Sequence, residues 1–313
     1  MNRILVPLKE KAQAQELIPP AQEDACREGT SMRTDIAGTV AITGADGQVG
    51  RALLQRLKDV GAQTIALTCK TTDIPANHLV SGPLNSSVAA AAIKEADSVV
   101  HLAGALRPIG KNSYQAANVE TAEAVASALK DGKAKRVLFL SYVGAREGSK
   151  NLYLRTKAMA ERILAASGKE VVVFRCAHII GSPEAPGPTA LAMLAKPGKG
   201  VSVLGDGRQI VAPIYLGDVV SALQTAMKGG SPGIYDLTGP AQMSMDELVR
   251  LLNRNPRVPI THLPEWVARL LGVFLPALPG PMVDVLLRDS VGDPSRAVAM
   301  FGLKLTPRQT IWK

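Results

Sequence analysis

The stretch TVAITGADGQVGRALLQRL, residues 39–57, decides the fold of this chain. Its first five residues form an apolar run that predicts a buried strand, and the apolar spacing at its end predicts a helix. Gly44 permits a tight turn between them, Gly47 allows close backbone approach, and Gly50 lets helix and strand pack closely. Glycine turns are common, but this strand-loop-helix context is typical of a loop that holds the pyrophosphate of a dinucleotide.

Backbone amides at the start of the predicted helix are the expected pyrophosphate ligands. A helix N-terminus favours an anion because its first N–H groups lack partners within the helix. We therefore expect Asp46, Gln48 and Val49 to bind the cofactor together with the three glycines.

From Thr39 onward, short Val/Ile/Leu runs alternate with Ala-rich helical segments. Strands are predicted at 39–43, 64–69, 98–103, 136–141 and 171–176, and helices near 48–59, 86–96, 113–130 and 153–167. This alternation predicts an α/β fold, a Rossmann-like doubly wound parallel sheet followed by a smaller C-terminal substrate lobe. In the lobe we expect a strand at 210–215, a helix from about Asp218, and helices after Ser244 and Pro264.

These sequence patterns divide the chain into three parts. Residues 1–37 show no sustained periodicity and are expected to be a poorly structured extension. Residues 38–181 are the expected dinucleotide-binding domain. Residues 182–313 are the expected substrate or partner lobe, with sheet and helix segments that return to the first domain.

Composition narrows the class of protein. The net charge of +9 favours an anionic partner such as a phosphorylated cofactor. The positive residues are scattered and aromatic residues make up only 4%, which argues against a nucleic-acid partner. Three widely spaced cysteines and the short N-terminal apolar run predict a cytoplasmic protein, free or peripheral at a membrane. No histidine has a partner at metal-ligand spacing, so no metal is expected.

The end of the second predicted strand bears on the choice of cofactor. Enzymes that prefer NAD usually present an acidic residue there to the ribose 2′-hydroxyl. Here Thr68 and Lys70 occupy that place, and no acidic residue occurs before Asp73. A lysine and a hydroxyl suit a 2′-phosphate, which favours NADP(H). NAD(H) stays open, because Lys70 reads equally well as a solvated lysine.

Tyr153 and Lys157 are the candidate catalytic pair. Four residues apart on a predicted helix, they share one face. A tyrosine phenol becomes a useful acid or base near neutrality when an adjacent ammonium lowers its pKa. Ser141, at the end of the preceding strand, is the expected hydroxyl donor that orients a substrate carbonyl.

These motifs resemble the extended and atypical short-chain dehydrogenase/reductase superfamily, which includes the NAD-dependent epimerase/dehydratase-like proteins. The resemblance rests on TGADGQVG (43–50), VVHLAG (99–104), LSYVGA (140–145), YLRTK (153–157), FRCAHIIG (174–181) and PIYLGDVVSAL (213–223). The segments SYVGA, YLRTKAMAE and LPGPMVDVLLRDSVGDP (278–294) are most similar to the branch that contains the short-chain-dehydrogenase-type accessory subunit of respiratory complex I.

The resemblance implies further site residues. Lys157 would hold the nicotinamide ribose as well as tune Tyr153. The other cofactor-binding residues that it implies are Leu102, Ala103, Gly104, Asn118, Cys176 and His178. One departure concerns catalysis, because active relatives commonly carry a Ser/Thr pair where this chain has Ser141 and Tyr142.

Three functions follow as hypotheses. The first is an NAD(P)(H)-dependent oxidoreductase that acts on a small hydrophobic carbonyl, alcohol or quinone-related substrate. The second is a non-catalytic nucleotide-binding accessory subunit of a membrane-associated complex. The third is a nucleotide-sugar epimerase or dehydratase, for which Arg208 is one candidate ligand. We expect the segment 263–287 to form the apolar wall of the substrate or partner site, with Trp266 and Leu270 packed in the core.

Overall fold

A computed structural model of the chain describes residue 36 and residues 38–108, 113–182, 200–274 and 279–311. The side chains of residues 271–274 and of residues 308 and 309 are outside this description. The extension expected over residues 1–37 therefore lies, apart from Ile36, outside the described residues.

A sheet of seven parallel strands forms the centre of the described chain. In sheet order its strands are β3 (His78–Ser81), β2 (Gln63–Thr68), β1 (Thr39–Thr43), β4 (Ser98–His101), β5 (Arg136–Tyr142), β6 (Glu170–Cys176) and β11 (Gly233–Leu237). The strand order reverses between β1 and β4, so their carboxyl ends border the crevice where doubly wound sheets bind ligands.

Helices cover both faces of this sheet. They are α1 (Gln48–Asp59), α2 (Ser87–Glu95), α3 (Thr121–Lys130), α4 (Leu152–Ala165) and α5 (Leu216–Lys228), with a π-helical stretch (Gln115–Glu120) leading into α3. Leu53 and Leu57 of α1 pack with Leu223 of α5 in one buried apolar cluster, and Ile93 and Leu129 belong to a second one. The Rossmann-like doubly wound fold expected from the sequence is confirmed.

Two strands of the sheet were not predicted. The edge strand β3 is largely exposed, so its sequence lacks the apolar run by which buried strands are recognised. The other edge strand, β11, follows α5 and pairs with β6, and its sequence GIYDL mixes a glycine and a carboxylate among the apolar residues.

We call the remaining described elements the lobe, although one of them, Ser295–Phe301, packs its Phe301 against Phe174 of the central sheet. The elements of the lobe are β7 (Ile179–Ile180), β8 (Val201–Leu204), β9 (Ile210–Val211), β10 (Ile214–Tyr215), β12 (Met243–Ser244), α6 (Met245–Asn253), β13 (Ile260–Leu263), α7 (Glu265–Phe274), α8 (Gly280–Leu286), α9 (Ser295–Phe301) and α10 (Arg308–Ile311). The single strand expected at 210–215 is divided around Ala212 and Pro213: β9 pairs with β12, whereas β10 pairs with β7.

The expectation that Trp266 and Leu270 pack in the core is wrong. Trp266 is 69% exposed and Leu270 is 50% exposed, whereas Ala268 is fully buried. The small side chain of Ala268 therefore faces the protein, whereas those of Trp266 and Leu270 face outward. Across the described residues, no helix is long and apolar enough to cross a membrane.

Candidate active site

The phosphate loop (Gly44–Gly50) connects the end of β1 to the start of α1. Gly44 has a φ of +63°, and a Cβ placed on it would lie 2.8 Å from the Ala103 nitrogen. A Cβ on Gly50 would lie 2.7 Å from Ala45 Cα. Packing within the protein therefore explains these two glycines.

Gly47 differs from the other two glycines of the loop. Its φ of −72° suits any residue, and the nearest atom to a Cβ would be the Gly44 carbonyl oxygen at 3.2 Å. It occupies the N-cap of α1, which begins without a capping side chain and with no acidic residue in its first turn. Such a terminus suits an anion. The absence of a side chain at Gly47 leaves room for a pyrophosphate to approach the backbone closely. The residues Asp46, Gln48 and Val49 surround this N-terminus, so the loop fits the expected dinucleotide.

The end of β4 lies against the phosphate loop. The Leu102 and Ala103 nitrogens donate to the Thr43 carbonyl oxygen (3.1 Å) and the Thr43 hydroxyl (3.2 Å). Gly104 has a φ of +153°, and a Cβ there would lie 2.7 Å from Asn118 Oδ1 and 3.0 Å from Lys157 Nζ. The three residues after β4 therefore join the loop to Asn118 and Lys157.

Asn118 and Lys157 are both buried and held by specific partners. Asn118 donates to the Thr156 hydroxyl (3.1 Å) and accepts from the Ala105 nitrogen (3.3 Å). Lys157 Nζ donates to the Leu140 carbonyl oxygen (2.9 Å) and lies 4.7 Å from the centre of the Phe139 ring. Burial lowers the pKa of Lys157 to about 8, against the opposing effect of the Glu161 carboxylate. The ammonium is thus fixed between the ends of β4 and β5.

Two aromatic rings lie beside the candidate acid Tyr153, and we call Tyr114, Tyr142 and Tyr153 the tyrosine cluster. The Tyr153 ring centre lies 5.6 Å from that of Tyr142 and 6.0 Å from that of Tyr114. The Tyr114 hydroxyl donates to the Leu106 carbonyl oxygen (2.8 Å). All three rings are almost fully buried, and Val143, Ala177 and Val285 pack around them.

Burial, reinforced by Tyr142 and then Tyr114, raises the pKa of Tyr153. The sequence predicts the opposite, that Lys157 lowers the pKa of Tyr153. The difference arises because two neighbouring phenols and apolar side chains remove water from the ring, which disfavours the phenolate.

Asn151 positions the first turn of α4. Its Oδ1 accepts from the Leu154 nitrogen (3.1 Å) as the N-cap of the helix, and its Nδ2 donates to the Pro281 carbonyl oxygen (2.8 Å). The segment that carries Tyr153 is therefore tied to α8 of the lobe.

Ser141, Cys176 and His178 lie around the ends of β5 and β6. Ser141 Oγ is buried and has no hydrogen-bond partner among the described residues. Cys176 pairs in register with Tyr142, and burial raises the pKa of its thiol to about 12. His178 is buried close to Tyr142, whose hydroxyl is 3.3 Å from His178 Nδ1. The structure thus places these residues beside the tyrosine cluster.

The end of β2 is arranged differently from the expectation. Lys70 is exposed, whereas the Thr68 hydroxyl donates to the Lys70 carbonyl oxygen (2.7 Å) within the same turn. Arg51 was not singled out from the sequence, although it directly follows the third glycine. Its guanidinium donates to the Asp46 carbonyl oxygen (3.0 Å), the Asp73 carbonyl oxygen (3.0 Å) and the Thr72 hydroxyl (2.8 Å). It therefore joins the phosphate loop to the segment after β2.

Two more residues of the site carried no local sequence signal. Tyr114 precedes the π-helical stretch, and Ser290 follows α8 in the lobe, far from Tyr142 in sequence. Ser290 is fully buried, and its hydroxyl lies 2.9 Å from that of Tyr142. These two residues join the site only because the fold brings distant segments of the chain together.

The chain is similar in sequence to known proteins. The sequence profile of the NAD dependent epimerase/dehydratase family matches residues 40–237. The chain is 29% identical to the mitochondrial NADH dehydrogenase [ubiquinone] 1 alpha subcomplex subunit 9 of Arabidopsis thaliana, over 72% of this chain and 60% of that protein. It is 28% identical to the ceramide reductase of Caulobacter vibrioides, over 66% of this chain and 66% of that protein. The matched part spans somewhat under two thirds of each relative.

A solved structure of MoeE5 in complex with UDP-glucuronic acid and NAD shares the fold. The two superpose with a TM-score of 0.71 at 21% identity, over 88% of this chain and 96% of that chain.

Proposed function

The chain belongs to the NAD-dependent epimerase/dehydratase family, and from this premise we propose that it is a nicotinamide-dinucleotide-dependent oxidoreductase of a small hydrophobic carbonyl, alcohol or quinone-related substrate. The observation that carries the proposal is the placement of Tyr153 and Lys157. Both are buried at the carboxyl end of β5, and Lys157 reaches Gly104 beside the phosphate loop. A proton donor and a nucleotide cradle therefore meet at one edge of the sheet.

In this proposal each residue has one role. The phosphate loop binds the pyrophosphate, while Lys157 and Asn118 hold the nicotinamide ribose, with Cys176 and His178 at the nicotinamide end. When bound there, the nicotinamide would supply a hydride for the carbonyl carbon of the substrate. Tyr153 gives its hydroxyl proton to the carbonyl oxygen, and Ser141 Oγ orients that oxygen.

We propose NADP(H) as the preferred cofactor. Lys70 and Arg51 place two cations around the end of β2, and the chain has no acidic residue from Gly50 to Asp73 except Asp59 at the end of α1. Cations favour the extra 2′-phosphate of NADP(H), whereas a carboxylate would favour NAD(H). Calorimetric titration with NADPH and NADH tests this preference, and Lys70→Glu should weaken NADPH binding more than NADH binding. Equal affinities for both cofactors in the wild type would refute it.

The substrate class is inferred from the side chains around the tyrosine cluster. Val143, Ala177 and Val285 pack on the three rings. Met282, in the same helix as Val285, is also buried. Apolar walls with a few polar groups suit a hydrophobic substrate with one reacting oxygen. A nucleotide sugar would need cations for its diphosphate, and the candidate Arg208 is exposed in the turn before β9.

A second candidate function is an accessory subunit of a membrane-associated complex. The name of the Arabidopsis relative and the exposed Trp266 and Leu270 on α7 favour it. Large apolar side chains exposed on one helix face often mark a contact with a partner. In this role the bound nucleotide stabilises the protein, and no turnover is expected.

One experiment separates the candidates. The purified protein is incubated with NADPH and a panel of medium-chain ketones and quinones, and separately with NAD⁺ or NADP⁺ and UDP-sugars. Nicotinamide absorbance is followed in both, with product mass for the ketones and quinones and chromatographic separation of sugar isomers for the UDP-sugars. Reduction of a ketone or quinone supports the oxidoreductase. Conversion of a UDP-sugar without a net change in nicotinamide absorbance supports an epimerase, and nucleotide binding without any turnover supports the accessory role.

A further inference from the structure

A buried chain of polar side chains joins the lobe to the Rossmann core beside the tyrosine cluster. The Ser290 hydroxyl lies 2.9 Å from the Tyr142 hydroxyl, which lies 3.3 Å from His178 Nδ1. All three residues are more than nine-tenths buried. Ser290 itself is anchored in the lobe, because its nitrogen donates to the Ile210 carbonyl oxygen and its carbonyl oxygen accepts from the Ala212 nitrogen.

The hydrogen atoms of this chain can be assigned from its partners. Each hydroxyl carries one hydrogen, and a buried hydroxyl hydrogen without an acceptor is costly. Within the described residues, Ser290 Oγ has the Tyr142 hydroxyl as its side-chain partner, so Ser290 satisfies its hydrogen by donating to Tyr142. The Tyr142 hydrogen is then available for His178 Nδ1. The opposite direction would leave the Ser290 hydrogen without this acceptor.

This direction fixes the imidazole of His178. An acceptor at Nδ1 in a neutral ring means that Nε2 carries the hydrogen. Burial lowers the pKa of His178 to about 4, so the ring is neutral near pH 7. Nε2 is buried and has no hydrogen-bond partner among the described residues. A buried N–H group without a partner is rare, and a ligand atom is one way to satisfy it.

We propose that Ser290 and Tyr142 form a relay that holds His178 in its Nε2–H form, and that this N–H donates a hydrogen bond to the carbonyl oxygen of the substrate. The proposal deepens the proposed function and rests on it for the substrate class. The pair of Tyr142 and His178 takes the place of the second hydroxyl that active relatives carry after Ser141. The Tyr142 ring centre lies 5.6 Å from that of Tyr153 and 6.1 Å from that of His178, so both the candidate acid and the imidazole neighbour the same ring.

The relay can be tested in the protein without any ligand. The chain has four histidines, so labelling histidine with nitrogen-15 gives four imidazole signals, in which the tautomer of each ring is visible. His178 should be in the Nε2–H form in the wild type and should lose this preference in Ser290→Ala and Tyr142→Phe. An Nδ1–H form in the wild type, or an unchanged His178 signal in both variants, would overturn the relay.

Two controls accompany this measurement. His101 is also buried and bonds through Nδ1, here to the Thr43 hydroxyl at 2.7 Å, so its signal should not respond to Ser290→Ala. Thr238→Val removes another buried hydroxyl of the same region, which donates to the Gly292 carbonyl oxygen (3.1 Å), and should leave His178 unchanged.

The substrate contact needs a ketone probe. Octan-2-one labelled with carbon-13 at its carbonyl is added to the protein loaded with NADP⁺, which cannot reduce it. His178→Leu should abolish the carbonyl shift caused by the hydrogen bond and weaken ketone binding about 3- to 10-fold, the range for one hydrogen bond. His178→Gln retains an N–H donor and should restore part of both. Each variant is studied at NADP⁺ concentrations that saturate its dinucleotide site, because His178 also lies at the nicotinamide end of the proposed cofactor site.

The outcomes distinguish this inference from the proposed function. A ketone shift that depends on His178, in a protein that never turns over NADPH, supports the contact and refutes the oxidoreductase. Turnover with a ketone signal that ignores His178→Leu refutes the contact alone. If the variant loses dinucleotide affinity and keeps the ketone shift, His178 contacts the cofactor and the inference is wrong.

Discussion

The phosphate loop and the tyrosine cluster lie at the same edge of the sheet, but they are built from different parts of the chain. The loop consists of seven consecutive residues that would bind a ligand through their backbone, and a side chain at Gly44 or Gly50 would collide with the protein. The cluster consists of side chains from Tyr114, Tyr142 and Tyr153, which come from three separate elements. A ligand site made of backbone atoms can be predicted from one short segment of sequence, whereas a site made of side chains from several elements depends on the whole fold.

The electrostatic properties of the two regions differ as well. The start of α1 favours a negative group through the dipole of a helix N-terminus, and its first turn contains no acidic residue. In and next to the cluster, burial changes the acidity of the side chains. It raises the pKa of Tyr114 to about 12 and lowers that of Lys157 to about 8. The loop should therefore bind its anion at any ordinary pH, and the cluster should be the pH-sensitive region.

The largest expected effect separates chemistry from binding. Tyr153→Phe removes the proton donor and keeps the ring that packs against Tyr142 and Tyr114. Turnover of an accepted ketone should fall by roughly 10² to 10⁴, with the dinucleotide affinity unchanged, because the phosphate loop is untouched. Steady-state rates and calorimetry measure the two quantities.

Tyr114→Phe is the matched control for Tyr153→Phe. It also removes one buried hydroxyl of the cluster, but that hydroxyl donates to the Leu106 carbonyl oxygen and not to a substrate. Turnover should change by less than about threefold, which corresponds to less than a kilocalorie per mole. Equal losses in both variants would show that Tyr153 acts through packing.

The second prediction tests whether two glycines of the loop serve different purposes. Gly44→Ala forces a side chain into a left-handed conformation and against the backbone of Ala103, so the free energy of unfolding should fall by about 2 to 4 kcal/mol. Gly47→Ala fits its backbone conformation and should cost less than about 1 kcal/mol, yet lower dinucleotide affinity by about tenfold or more. Urea denaturation and calorimetry report both. Equal destabilisation by the two variants would remove the distinction.

This contrast explains how much could be predicted from the sequence. The strands β1, β2, β4, β5 and β6 and the phosphate loop were predicted because buried parallel strands are continuous apolar runs and the glycines have fixed spacing. The pairing of Tyr153 and Lys157 on one helix face was also predicted, because helical geometry fixes it.

The remaining features depend on contacts between distant segments. Nothing near Tyr142 in sequence indicates that Ser290 lies 2.9 Å from its hydroxyl. The raised pKa of Tyr153 likewise comes from burial among rings that only the fold assembles. The periodicity of α7 was misleading, because apolar residues four apart mark one helix face but do not say whether that face is covered.

The third prediction concerns the pH dependence of the cluster. Burial lowers the pKa of Lys157 from 10.5 to about 8, so between these pH values the unfolded chain holds a proton that the folded chain has released. The free energy of unfolding therefore rises with pH in this window, by about 3 kcal/mol from this lysine alone. Lys157→Met lacks this contribution. The stability of the variant relative to the wild type should be greatest near pH 7 and should decline towards pH 10.

Lys169→Met is the control for this prediction. Lys169 is only half-buried, and its Nζ donates to the Gly132 carbonyl oxygen (3.1 Å). The difference in unfolding free energy between variant and wild type should change more with pH for Lys157→Met than for Lys169→Met. If the two differences change equally with pH, the buried ammonium is not what makes this region sensitive to pH.

The smallest expected effect concerns which lobe helix belongs to the cluster. Val285 of α8 is buried against the three rings, whereas Trp266 of α7 is 69% exposed. Val285→Ala should lower the free energy of unfolding by about 1 to 2 kcal/mol and weaken ketone binding, because it opens a cavity beside Tyr153. Trp266→Ala removes far more side chain but should change stability by less than about 0.5 kcal/mol and leave ketone binding unchanged. A larger loss from Trp266→Ala than from Val285→Ala would mean that α7, rather than α8, completes the cluster.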